Sequence, residues 1–435
     1  MYSGFQNLPR IPELRRRLGF TLVILAVYRL AVAVPTPGID GEALGEFFRA
    51  ASASVFEMVN LFSGGALERF SVCALGIMPY ISSSIILQLM TMVVPALERL
   101  SKEGEQGRRR ITQYTRYGTV VLAFTQGFFI SLGLEQIQGP GGASVVYEAG
   151  WGFRLMTMTT LSAGTVFLMW LGEQISERGI GNGISMIIFA GIAASLPSAI
   201  GATLEFVRQG ELGVLELVVL LVVILATIGA VIFVERGQRR IPVQYAKRVV
   251  GRRMMSAQAT HLPLKINMAG VIPPIFASSL LIFPGTIAQF TPWEPARAAA
   301  DYLSPDSLGY NIVYVAAIIF FAYFYTAVTF DPNNVAENLQ KGGGFIPGIR
   351  PGKRTAEYID HILTRLTLSG ALYISIICVL PTLLVQQFNV PFFFGGTSLL
   401  IVIGVAIDTV AQMQAHLIQR NYDGFLKKGN LRGRR

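Results

Sequence analysis

Apolar runs of membrane-crossing length recur along the whole of this 435-residue chain. A helix that crosses the hydrocarbon core of a bilayer needs about 20 such residues. Inside lipid, each backbone N–H and C=O must also find its partner within protein. Repeated runs of this kind leave one fold class, a bundle of membrane-crossing helices. Composition agrees: 52% of residues are hydrophobic and 14% charged, against roughly 25% charged in soluble domains. Ten spans are read: Leu18–Val34, Cys73–Val94, Tyr117–Ile137, Phe153–Gly172, Gly183–Ile200, Leu212–Val234, Asn267–Phe290, Asn311–Phe330, Leu368–Gln387 and Phe392–Met413. Pro9–Arg17 is polar and basic, and no small-residue cleavage site follows the first run, so that run is expected to stay as a span.

The basic residues orient the spans. Of the 36 Lys and Arg residues, thirty fall on the side of the N-terminal tail, five on the opposite side, and Arg29 lies within the first span. The positive-inside rule then puts both termini in the cytoplasm, which an even number of spans requires. Arg29, near the outer end of its helix, is expected to snorkel outward. Two loops on the basic side are long. In Glu235–Ile266, Ile241, Val243 and Tyr245 alternate with other residues, which predicts a short hairpin between two basic clusters. Asp331–Thr367 carries turn chemistry at Gly342–Gly344 and Pro347–Gly352. Both loops suit a solvated surface facing lipid headgroups, or a platform for a large acidic partner, since loops this long usually have a function.

Glu57–Pro95 is too long for one span. It reads as a short helical piece, Glu57–Arg69, leading into a span that carries Ser82, Ser83, Ser84 and Gln88. Polar residues at membrane depth are tolerated where a span lines protein or water. A second span of this kind, the seventh, carries Pro273, Pro274, Ser278 and Ser279. Corresponding broken spans in two halves, 1–209 and 210–435, point to inverted repeats of five spans with a path between them.

Several chemistries lack their residues. Gly352-Lys353-Arg354 has neither the Ser/Thr nor the upstream Gly of a phosphate-binding loop. Gly179–Gly183 follows a membrane helix rather than a strand and reads as a tight turn. His261, His361 and His416 lie far apart, and the Ser82–Ser84 run has no His or acidic partner in its own span, so neither a metal site nor a hydrolase is expected. Cys73 and Cys378 read as buried thiols. Glu173 and Asp408 sit near span ends, whereas ion-coupled carriers keep ionisable groups at the midplane. That weighs against the alternative of a secondary transporter of small solutes. Isoleucines recur at matching depth: Ile81 and Ile85, Ile184 and Ile188, then Ile275 and Ile401. Spacing alone leaves them ordinary apolar residues of a span.

Five strings, taken in order, resemble the SecY family of protein-conducting channels. They are GIMPYISSSIILQL (Gly76–Leu89), EGEQGRRRITQYTRYGT (Glu103–Thr119), ERGIGNGIS (Glu177–Ser185), HLPLKINMAGVIPPIFASS (His261–Ser279) and GGTSLLIV (Gly395–Val402). The resemblance implies an all-α polytopic membrane protein whose ten transmembrane helices form two inverted five-helix halves, a clam-shell around a central pore. It implies an apolar pore ring of Ile81, Ile85, Ile184, Ile188, Ile275 and Ile401, which gates by dewetting. It implies a plug over about Leu61, Phe62, Ser63, Gly64, Gly65, Ala66, Leu67, Glu68, Arg69 and Phe70. A lateral gate of spans two and three against seven and eight would carry Ser83, Gln88, Thr91, Gln126, Asn267 and Ser278. Docking is implied for Arg239, Arg240, Lys247, Arg248, Arg252, Arg253 and Arg350, the last within GIRPG (Gly348–Gly352). The partners implied are the small membrane subunits SecE and SecG, the SecA motor, the ribosome, signal sequences, nascent polypeptides and membrane lipids. No cofactor or catalytic residue is implied, and the location is the cytoplasmic membrane. One departure is the second proline in IPPIF (Ile272–Phe276), which is expected to stiffen the seventh span.

Overall fold

The computed structural model describes residues 12–41, 43–45, 60, 63–137, 144–210, 213–245, 249–250, 253–254, 259–290, 307–388 and 396–428. Helices dominate: α1 (Pro12–Val32), α2 (Met78–Val93), α3 (Pro95–Lys102), α4 (Glu105–Gln136), α5 (Trp151–Arg178), α6 (Gly183–Gln209) and α7 (Val214–Glu235) come first. Four strands follow: β1 (Gln238–Tyr245), β2 (Val249–Val250), β3 (Arg253–Met254) and β4 (Ala259–Lys265). The chain continues through α8 (Ile272–Phe290), α9 (Leu308–Thr329), α10 (Pro332–Lys341), β5 (Gly344–Phe345), α11 (Lys353–Phe388) and α12 (Gly396–Lys428). Among the described residues seven helices are long and apolar enough to cross a membrane, and α2 with α3 makes an eighth if that bent pair is one span. Helices α1 and α8 stand where the first and seventh of the ten expected spans were read.

Two boundaries differ from the sequence reading. The second span was expected from Cys73, yet α2 begins at Met78. Gly76 takes a left-handed φ of 58°, which breaks the helical path, and Pro79 then sits in the first turn of α2, where its missing N–H costs nothing. At the other end Val94 is extended, as a residue before proline prefers, and α3 leaves at 100° to α2. In the seventh span, α8 begins only at Ile272. Pro273 and Pro274 therefore lie in a first turn rather than mid-span, and the expected stiffening has no interior turn to act on.

Contacts divide the chain into two compact units: Met1–Gly201 with Ser279–Tyr310 and Gly404–Arg435, and Ala202–Ser278 with Asn311–Ile403. In the first unit α4 packs on α5 and on α2. Small residues permit the approach: a Cβ on Gly127 would stand 3.2 Å from Met158 Cα of α5, and one on Gly118 would run into the Ser83 hydroxyl of α2, while on α5 a Cβ at Gly164 would run into the carbonyl of Val72 before α2. Ion pairs fasten α4 to α5 at both ends. Arg116 holds Glu173 through two bonds of 2.8 Å. Arg154 donates to Glu135 at 2.6 Å, while its guanidinium lies 5.3 Å from the Trp151 ring centroid. An apolar core of Ala123, Leu134, Phe153 and Leu161 also takes in Leu67, Phe70 and Leu75 from the connection before α2. Cys73 here, like Cys378 in the second unit, is a buried free thiol.

The second unit contains a sheet in the order β4-β1-β5, of which the sequence predicts only the hairpin. The predicted hairpin forms from β1 and β4, with Ile241 opposite Leu262 and Val243 opposite Thr260. Gln244 and Tyr245 then pair with Phe345 and Gly344 from the second basic loop. One face of this sheet is apolar. Ile241, Val243, Leu264 and Ile346 pack against Ile359, Ile362, Leu363 and Leu366 of α11. Glycine closes the joint: a Cβ on Gly344 would stand 3.0 Å from the Tyr245 ring. Elsewhere in this unit Tyr314 and Thr397 share a 3.0 Å hydrogen bond, and Phe276 meets Phe321 edge to face at 5.8 Å.

Candidate functional site

The stretch before α2 is the first element of the site. Of the short helical piece expected over Glu57–Arg69, the described residues Asn60 and Ser63 are helical, whereas Gly64–Ile77 is a run of turns and a bend apart from a β-bridge at Ser71. Gly64 and Gly65 both adopt left-handed φ values, 71° and 84°, and consecutive residues of that kind cannot continue a right-handed helix. Asn60 organises the turns. Its carbonyl accepts from Gly65 N–H at 2.9 Å, and its side-chain oxygen accepts from Glu68 N–H at 3.1 Å. Ser63, Gly64, Ala66, Leu67 and Phe70 are buried, Gly65 and Glu68 are partly so, and Arg69 is exposed. Leu61 and Phe62 lie outside the described residues. The connection after α1 flanks this stretch: Thr36 N–H donates to Phe70 O, and Val72 N–H to Val34 O, each at 2.9 Å.

The isoleucines divide between the units. In the first, Ile81 and Ile85 are buried one turn apart on α2, and Ile188 is buried one turn beyond half-buried Ile184 on α6. In the second, Ile275 and Ile401 are buried. Each of these helices begins close by. The turn Gly179–Gly183 before α6 has its N–H groups met by side chains. Ile180 N–H donates to Thr21 of α1, Gly181 N–H to Gln412 of α12, Gly183 N–H to Ser176 of α5 and Ile184 N–H to Asn182. The expectation of a tight turn thus acquires Thr21 and Gln412 as supports, and Gln412 lies 231 residues from its partner.

Most of the polar gate residues are engaged inside their own unit. Ser83 donates to Thr115 O of α4 at 2.8 Å, and Thr91 to Gln88 O at 2.7 Å. The Gln88 amide donates to Ser84 at 3.2 Å, while its buried carbonyl oxygen has no partner among the described residues. Gln126 is half-buried on α4. Asn267 donates to Glu235 at 2.6 Å and exchanges two bonds with Gly270, which ties the end of α7 to the start of the seventh span. Ser278 donates to Ile275 O.

The basic loops form one body. Arg239 and Arg240 are exposed on β1. Arg350 is exposed on the turn between β5 and α11. That turn is held by buried Ile346 and by Thr355, whose hydroxyl donates to Arg350 O at 3.1 Å. Left-handed Gly348 and Gly352 frame it, at φ 83° and 104°. Lys247, Arg248 and Arg252 lie outside the described residues, and Arg253 is described only as backbone of β3. The joining of the two loops was not read from the sequence. Its only local trace is the two-residue β5, which begins at Gly344, the last glycine of the Gly342–Gly344 run.

Fold and site together define an all-α polytopic membrane protein with a small basic sheet on one connection face. Comparison with known proteins sets the class more closely. A family model described as SecY matches residues 71–410. The protein translocase subunit SecY of Vibrio cholerae serotype O1 is 54% identical over 430 residues, covering 97% of this chain and 96% of the relative. The solved structure of a protein conducting channel superposes with a TM-score of 0.67 at 17% identity, covering 94% of this chain and 96% of that one. Sec61 in the canine ribosome-channel complex from the endoplasmic reticulum gives 0.63 at 17% identity, with the same coverages. The chain belongs to the SecY family.

Proposed function

We propose that the chain is the channel subunit of a protein translocase, passing unfolded secretory chains across the cytoplasmic membrane and releasing membrane segments sideways into lipid. The observation that carries this reading is the 54% identity to a protein translocase subunit over nearly the full length of both chains. In this reading the chain performs no chemistry, and a SecA motor or a ribosome supplies the drive. Sec61, of the same fold, occurs in a ribosome-channel complex, which supports a ribosome as partner here. Arg239, Arg240 and Arg350, exposed on one folded body, suit ribosomal RNA phosphate and are assigned to docking with Lys247, Arg248, Arg252 and Arg253. Helix α7, exposed along Leu215, Val218, Leu221, Val222 and Leu225, is left to lipid or to small subunits of the SecE and SecG kind. Both termini are assigned to the cytoplasm.

The six isoleucines are assigned to the constriction of a pore between the halves 1–209 and 210–435. An aliphatic wall demands no hydrogen bonds of the chain passing through it, and it closes by dewetting. Ser63–Phe70 with the residues before it is assigned to the stopper. Ser83, Gln88, Thr91, Gln126, Asn267 and Ser278 are assigned to the gate, where the unmet Gln88 carbonyl is the acceptor open to a new partner. The test is Ile401→Asn. A polar side chain wets the constriction, so export of a substrate with a defective signal sequence should rise. Unchanged export of that substrate refutes the ring assignment.

A further inference from the structure

We infer that Tyr28 and Arg29, neighbours on α1, form a catch that holds the Ser63–Gly65 end of the stretch before α2 in its seat. The inference rests on the stopper reading above for its consequence, though not for its geometry. Tyr28 is 1% exposed, and its hydroxyl donates to the carbonyl of Ser63 at 3.2 Å. The Arg29 guanidinium donates to the next carbonyl, Gly64, at 3.0 Å. Arg29, expected to snorkel outward, is half-buried and directed at this carbonyl. An ionised group inside a span is costly and marks a functional position, and a backbone carbonyl beside it is a strong charge-assisted acceptor.

The seat is shaped for glycine. A Cβ on Gly64 would stand 2.7 Å from Gly191 Cα on α6, and 2.9 Å from both the Tyr28 hydroxyl and the Arg29 guanidinium. A Cβ on Gly191 would meet the same hydroxyl at 3.2 Å and Gly64 Cα at 3.3 Å. Helix α1 thus holds two consecutive carbonyls of this stretch while α6 closes on the Gly64 Cα, and only backbone without side chains fits between them. The opposite end of the stretch is held differently, by burial of Leu67 and Phe70 in the apolar core. Phe70 sits at φ 41°, a conformation that bulky residues avoid and that its burial in the core holds in place. The apolar end is held by burial, whereas the polar end is held by two directional hydrogen bonds whose donors can be removed one at a time. The two donors therefore set how often this end leaves its seat.

The full chain, purified with its small subunits and placed in lipid vesicles, provides the test. Hydrogen exchange is followed at the amides of residues 63–71, and ion leak from the vesicles is measured alongside. Arg29→Met keeps bulk but removes the donor and should speed exchange there about tenfold or more, the worth of one charge-assisted hydrogen bond. Arg29→Lys, which retains a charged donor, should restore most of the protection. Tyr28→Phe, which loses one hydroxyl, should give a smaller increase and serves if Arg29→Met does not fold. Exchange in α4 and α5 should stay unchanged in all three. Unchanged exchange at residues 63–71 in Arg29→Met, or equally fast exchange in Arg29→Lys and Arg29→Met, overturns the catch. If Arg29→Met does not fold, unchanged exchange in Tyr28→Phe does the same. Faster exchange without any rise in leak leaves the catch standing and overturns the stopper reading on which its consequence rests.

Discussion

Replacing Ile359 with alanine should open the basic sheet without disturbing the membrane helices. Two-stranded hairpins are marginal in water, and β5 adds only two residues to β1 and β4. The sheet therefore depends on its apolar face, which Ile359 fills from α11 at 0% exposure, among Ile241, Val243, Leu264 and Ile346. Truncating a buried isoleucine to alanine costs about 2–5 kcal/mol through lost contacts and the cavity left behind. Even the lower figure multiplies the open population about 30-fold. Arg239 and Arg240 report that opening: their side chains are exposed while their backbone is paired in β1. Trypsin cleavage at these two sites, in the regime where it follows the open population, should speed up by about that factor. If the docking reading holds, ribosome binding should weaken in parallel, because Arg239, Arg240 and Arg350 lose their fixed spacing. Arg350→Glu serves as the contrast. It should weaken ribosome binding and leave trypsin cleavage at Arg239 and Arg240 unchanged, since the Arg350 side chain is exposed outside the core. Cleavage in Ile359→Ala within threefold of the parent would refute the claim that packing on α11 holds the sheet.

Two further substitutions test helix packing and helix starts. Gly164→Ala should lower the thermal midpoint in detergent by several degrees, because its new Cβ meets the carbonyl of Val72; Gly152→Ala on the same helix, with open space around its Cβ, should leave the midpoint unchanged. Pro274→Ala should shift stability by less than about 1 kcal/mol, since first-turn prolines replace no intrahelical bond, and a gain of about 3 kcal/mol, the cost of an interior proline relieved, would mean that α8 begins earlier than Ile272.

The membrane helices were legible because their signal is local. A run of apolar residues bounded by charges fixes a span within a few positions, as Leu212–Val234 against Val214–Glu235 shows. The start of α2 was not legible by that means. Val72–Ile77 is as apolar as α2 itself, and the break depends on the handedness Gly76 adopts rather than on hydropathy. Similarly, Gly64-Gly65 falls within the helical piece expected over Glu57–Arg69, whereas their φ values make the segment a turn. The basic loops illustrate a second limit. Alternation at Ile241, Val243 and Tyr245 predicted a strand, but no local pattern could show that two residues about a hundred positions later complete its sheet.

The residues that sequence reasoning missed share one property: each acts on a backbone group of a distant segment. Tyr28 and Arg29 donate to Ser63 and Gly64, and Thr21 and Gln412 accept from Ile180 and Gly181. A side chain that completes a backbone hydrogen bond has no required partner residue type, so no motif records it. Its trace is instead the kind of backbone it serves, which is a glycine turn or a strained residue that cannot satisfy itself within a helix. In a lipid-embedded protein such turns must be satisfied by protein. Each glycine-rich break between spans therefore demands polar side chains from elsewhere in the chain, and an arginine or tyrosine within a span is where the search for them should begin. By that reasoning Arg29, read alone as a snorkelling charge, is better understood as the donor that the Gly64-Gly65 turn requires.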